Sequence, residues 1–99
     1  MKEITPSELK QLIDEKKDFQ LIDVREEYEF DEVNIKGELI PMGEVIDNVD
    51  KISKDKQVVI HCRSGKRSAT VIGALESQFG FTNLYNLKGG ILAYLEETN

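Results

Sequence analysis

A chain of 99 residues with a formal net charge of −6, 39% apolar and 32% charged, has the size and composition of one globular domain, residues 1–99, with a single core. Its acidic balance argues against nucleic acid or an anionic membrane as partner, since both reward broad basic surfaces. No apolar stretch approaches the ~20 residues that span a bilayer. The segment from Met1 to Pro6 lacks a secretory apolar core, and one cysteine cannot form an internal disulfide, so a reducing cytoplasmic setting is expected.

The elements follow in chain order. Thr5-Pro6-Ser7-Glu8 reads as a capping box, with Pro6 at the first helical position, and Leu9, Leu12 and Ile13 extend an amphipathic helix through about Lys16. Gln20–Val24 reads as a buried strand and Glu26–Glu32 as a short acidic helix. Gly37, Pro41 and Gly43 break the chain into a winding connection, with a helical turn or two between Glu44 and Ser53. Gln57–His61, with three contiguous β-branched residues, reads as a strand covered on both faces. A helix follows from Lys66 to Phe79, closed by Gly80, with Phe81 placed to pack against its last turn. Leu84–Leu87 suggests another strand. Gly89-Gly90 then starts a final helix whose apolar side is Ile91, Leu92, Tyr94 and Leu95. Strands alternating with helices imply an α/β domain with a mainly parallel sheet, in which ligands gather at the strands' C-terminal ends. Cys62 falls at one of those ends.

Cys62-Arg63-Ser64-Gly65-Lys66-Arg67-Ser68 places three cations beside the only cysteine of an acidic chain. A thiol is mostly protonated at neutral pH, and cations or a helix N-terminus stabilise its thiolate. Arg63, Lys66 and Arg67 supply charge, the amides from Arg63 to Ser68 are able to curl round the sulfur, and Gly65 permits the curl. Ser64 and Ser68 are placed to donate hydroxyl hydrogen bonds or to cap the helix. Cys62 is therefore a candidate nucleophile. Having no second thiol to resolve it, it needs an external acceptor. His61 should face away from Cys62, as adjacent strand residues do, and is expected to be a packed core histidine. One cysteine and one histidine cannot build the usual zinc shell, so neither metal nor cofactor is expected.

Val58-Val59-Ile60-His61-Cys62-Arg63-Ser64-Gly65-Lys66-Arg67-Ser68 resembles the active-site strand and loop of the rhodanese (thiosulfate sulfurtransferase) family. Leu21-Ile22-Asp23-Val24-Arg25-Glu26 resembles that family's first core strand, Asn34-Ile35-Lys36-Gly37 with Ile40-Pro41 its next segment, and Leu87 to Tyr94 its C-terminal Gly-Gly block. The chain departs from the common pattern at Asn34, where histidine is usual, at Tyr94, where tryptophan is usual, and by one residue fewer before Pro41. Gly37 to Glu44 also resembles rhodanese domains attached to bacterial adenylyltransferases of sulfur-carrier pathways.

The resemblance implies a three-layer fold with helices on both faces of the sheet. It further implies a sulfurtransferase in which Cys62 takes sulfane sulfur from thiosulfate or another donor, holds it as a persulfide, and yields it to cyanide, a thiol or a protein. Arg63, Lys66 or Arg67 would orient an anionic donor, while the loop amides and Ser68 would stabilise the persulfide. Asp23 and Arg25 are candidates to border the pocket, although a buried ion pair anchoring neighbouring loops is the expected role.

Two other readings compete. His-Cys-x-x-Gly-x-x-Arg marks cysteine phosphatases, and here the final position is Ser68 rather than arginine. Rhodanese-like phosphatases and arsenate reductases use a loop one residue longer, wide enough for a tetrahedral oxyanion. A non-catalytic rhodanese-like binding module would commonly lack the cysteine.

Overall fold

The computed structural model describes residues 1–98. Its strands are β1 (Glu3–Ile4), β2 (Gln20–Asp23), β3 (Glu38–Leu39), β4 (Val58–His61) and β5 (Leu84–Leu87). Its α-helices are α1 (Pro6–Asp14), α2 (Glu27–Glu32), α3 (Lys66–Phe79) and α4 (Gly90–Glu97), and two 3-10 turns cover Met42–Glu44 and Ile46–Lys51. The strands form one sheet in the order β1-β5-β4-β2-β3, and every pairing is parallel. The strand order places β4, the most apolar segment, at the centre.

Period-two alternation divides the core into two layers. Val58, Ile60 and Cys62 join Ile22, Val24 and Leu84 beneath Val71, Ile72 and Leu75 of α3. Val59 faces the other way, with Leu9 of α1, Leu87 and the half-buried Tyr94 of α4. The result is the expected three-layer α/β fold. Among the described residues no helix is long and apolar enough to cross a membrane.

Local signals set most boundaries. The Thr5 hydroxyl accepts the Glu8 amide at 3.1 Å and the Glu8 carboxylate accepts the Thr5 amide at 2.9 Å, completing the capping box. α3 ends at Gly80, which takes a left-handed φ of 70°, while the Phe81 amide reaches back to the Leu75 carbonyl. α1 stops at Asp14, two residues short of the expected end, because Lys16 turns into the left-handed region at φ 54°. β2 likewise ends at Asp23, before Val24. The larger departure lies in α4. Of the four residues expected on its buried side, Ile91 and Tyr94 do face inward, whereas Leu92 and Leu95 are 46% and 37% exposed. Residues three apart share a helix face, so the four apolar positions form two pairs, and only one pair packs against the body.

Candidate active site

Three residues separate Cys62 from α3: Arg63, Ser64 and Gly65. Gly65, the N-cap, has no side chain to satisfy the exposed amides of the first helical turn. The Cys62 sulfur takes that place. Sγ accepts the Gly65 amide at 3.1 Å and the Ser68 amide, third in the helix, at 3.4 Å. The Ser68 hydroxyl oxygen stands 3.4 Å away. Gly65 holds φ at 106°, a conformation that side-chain-bearing residues rarely adopt. Lys66 and Arg67 belong to the helix, so the turn itself is short.

The loop carbonyls point away from the sulfur. That of Cys62 accepts the Ile91 amide at 2.9 Å and that of Arg63 accepts the Leu92 amide at 3.2 Å, both from the start of α4. The Gly65 carbonyl accepts the Ala69 amide and the Asn86 side-chain Nδ2, each at 3.1 Å. With the carbonyls held outward, the amides are left facing inward. Gly90 permits the close seat: a Cβ there would overlap the Arg63 carbonyl group and stand 2.7 Å from the Ser64 nitrogen. The Gly89-Gly90 pair is thus a helix start, as expected, and also the surface on which the loop rests.

Cys62 is only 1% exposed. Burial pushes its thiol up, but the Ser68 hydroxyl and the Ser68, Gly65 and Ser64 amides together pull it below the usual thiol range. Arg67 is engaged elsewhere, with its guanidinium forked onto Glu29 of α2 at 2.7 and 3.0 Å. That pairing, only partly opposed by burial, lowers the Glu29 carboxyl to about 2. Of the three cations, Arg63 and Lys66 remain exposed. Arg63 lines a cleft of about 150 Å³ together with Arg25, Glu29, Val33, Leu92 and Leu95.

Asp23 and Arg25 form a buried ion pair, Nη2 to Oδ2 at 2.8 Å, with further bonds from Nε and the Arg25 amide. Arg25 also donates to the Val33 carbonyl at 2.8 Å and the Glu29 carbonyl at 3.4 Å, anchoring α2 at its third residue and its C-cap. Arg25 reaches the cleft, whereas Asp23 is wholly buried beneath it.

His61 is fully buried and, lying between Ile60 and Cys62 of one core layer, falls by strand alternation on the opposite face of the sheet. Its Nε2 has no hydrogen-bond partner and lies 3.7 Å from Asp23 Oδ2. Burial depresses its proton affinity below the usual 6.5, outweighing the upward pull of Asp23. The unfolded chain therefore binds a proton that the folded one resists, and stability falls as pH drops below about 6.5. We expect the urea midpoint to decline between pH 7 and about pH 5, and the decline to flatten in His61→Gln. An unchanged slope in that variant would assign the loss to other groups. Glu29 contributes only lower down, its stabilisation fading as pH falls from 4.5 towards about 2.

Glu29 and Asn86 were not among the site residues expected from the sequence. Asn86 left a signal: in the strand Leu84-Tyr85-Asn86-Leu87 it shares the α3-facing phase of Leu84, where an apolar residue belongs. Glu29 left none, since its partner lies 38 residues away. No cluster of metal-ligating side chains occurs among the described residues.

Residues 5–97 match the family model for the rhodanese-like domain, and the chain belongs to that family. It is 37% identical over 93% of its length to a sulfurtransferase of Allochromatium vinosum, covering 86% of that protein. Over 95% of its length it is 36% identical to the probable adenylyltransferase/sulfurtransferase MoeZ of Mycobacterium tuberculosis, but it spans only 24% of that longer protein. A rhodanese-like domain protein of Staphylococcus aureus superposes with a TM-score of 0.85 at 36% identity, over 95% of this chain and 91% of the other.

Proposed function

We propose that this protein is a sulfurtransferase that carries sulfane sulfur as a persulfide on Cys62, working without cofactor in the reducing cytoplasm. The observation that carries this reading is the convergence of the Gly65 and Ser68 amides on a single sulfur, with the Ser68 hydroxyl oxygen 3.4 Å away. The two amides stabilise an anion at Sγ, and the short turn suits sulfur better than a tetrahedral oxyanion.

In the first half-reaction the Cys62 thiolate attacks the outer sulfur of thiosulfate or another sulfane donor. A sulfur–sulfur bond forms at Sγ, and the donor's own sulfur–sulfur bond breaks. With thiosulfate, sulfite leaves with the electron pair. In the second, cyanide, a thiol or an acceptor protein attacks the terminal sulfur, and the Cys62 thiolate departs unchanged. Arg63 and Lys66 are the exposed cations placed to orient an anionic donor. Arg67, held by Glu29, acts by tying α3 to α2.

Incubation with thiosulfate should add ~32 Da to Cys62, removable by cyanide or dithiothreitol. The addition should vanish in Cys62→Ser. No mass change in the unaltered protein, or turnover that survives the substitution, would sink the proposal. The same protein should leave an aryl phosphate intact.

A further inference from the structure

Asn86 lies on β5, 5% exposed, with its backbone in register with Ile60, two residues before the thiol. Its side chain touches the loop at two points. Nδ2 donates to the Gly65 carbonyl at 3.1 Å, and Oδ1 stands 2.6 Å from the Ser68 hydroxyl. A carbonyl oxygen only accepts, so the first bond fixes which end of the amide faces Gly65 and leaves Oδ1 facing Ser68. Oδ1 also only accepts. The single hydrogen of the Ser68 hydroxyl therefore points at Asn86, and its lone pairs point at Cys62. In this state the chain of donation runs from the Cys62 thiol to Ser68 and on to Asn86.

Once Cys62 is ionised the chain cannot stay as it is. Ser68 must then swing its hydrogen to Sγ and leave Oδ1 bare, or keep it on Asn86 and present lone pairs to an anion. We propose that Asn86 is a positioning residue that competes with the Cys62 sulfur for the Ser68 proton, holding the thiol form at rest and releasing the hydroxyl when the anion forms. The proposal rests on Cys62 as the reacting thiol. The other charged groups near it are Arg63 and Lys66 on the loop, Arg67 paired with Glu29, and the Asp23–Arg25 pair with His61 across the sheet. None of these is altered in the variants below.

The two roles open to Asn86 predict opposite signs. If it merely anchors Gly65, its loss loosens the inward amides and moves ionisation of Cys62 to higher pH. If it competes for the proton, its loss frees Ser68 to serve the thiolate and moves ionisation to lower pH. Iodoacetamide alkylation of the reduced protein against pH reads this directly. Asn86→Leu, similar in shape, should shift the midpoint to lower pH, speeding alkylation below it by about three- to tenfold, the worth of one hydrogen bond. Ser68→Ala should shift it to higher pH, and Asn86→Leu added to Ser68→Ala should change nothing further. An upward or absent shift in Asn86→Leu, or a shift that persists without Ser68, overturns the proposal.

A second measurement needs no substitution. In the unaltered protein the side-chain carbonyl resonance of Asn86 should titrate with the Cys62 midpoint, and a stationary resonance also overturns the proposal. Thiosulfate loading of the same samples, followed by mass, tests the sulfur-transfer reading separately.

Discussion

Gly90→Ala should cost both fold stability and thiol reactivity. Gly90 holds φ at 64°, where a side chain costs about 1–2 kcal/mol. Its new methyl would overlap the Arg63 carbonyl, a backbone group that cannot step aside without moving the loop. Overpacking of this kind adds about 1–3 kcal/mol, so we expect a total loss of about 2–5 kcal/mol by urea denaturation. The loop must retreat from α4, breaking the bonds from the Ile91 and Leu92 amides to the Cys62 and Arg63 carbonyls. An ångström of misplacement at a reacting centre is worth about 100-fold, and the rate of thiosulfate loading should fall by that order. Gly80→Ala is the control. Gly80 has a similar φ of 70°, but a methyl added there would meet nothing within 4 Å. It should lose only the backbone contribution and keep its loading rate. Equal effects from the two substitutions would show that the close seat is unimportant.

Arg25→Ala should be the most destabilising single change on the Asp23 side of the sheet. It strands a carboxylate with 0% exposure and also removes the donor to the Val33 and Glu29 carbonyls. Breaking one side of a buried pair costs about 3–5 kcal/mol, far more than an exposed pair is worth. The penalty belongs to the orphaned charge rather than to the attraction lost. Replacing both members, Asp23→Leu with Arg25→Leu, should therefore recover a substantial part of the stability. Urea midpoints of the single and double variants decide the matter. A loss below about 1 kcal/mol in Arg25→Ala would mean that water reaches Asp23 and that the pair is not sealed.

The segments legible in the sequence are those whose signals are local. The capping box at Thr5–Glu8, the β-branched run of β4 and the glycine stop at Gly80 depend on residues within a few positions, and each forms its element. Where the expectation departed, competing faces were the reason. In α4, Ile91, Leu92, Tyr94 and Leu95 are all apolar, and the sequence carries no information about which face meets α1. Docking selects Ile91 and Tyr94, which leaves Leu92 and Leu95 exposed beside Arg63. The basic turn was legible as three cations near a thiol, but not that one of them is committed to Glu29.

By itself the sequence determined the strand, the three-residue turn and the helix start that bring amides to Cys62, because these follow from the dihedral needs of contiguous residues. Only the tertiary structure decided what those groups face. Parallel pairing sets Asn86 of β5 beside Ile60 of β4, and the packing of α4 lays Gly90 under the Arg63 peptide. Both help turn carbonyls outward and leave the amides pointing at the sulfur. The bonds from Asn86 to Gly65 and from Ile91 and Leu92 to Cys62 and Arg63 join residues more than twenty positions apart, and their partners are set by strand order and helix packing, which no local pattern encodes.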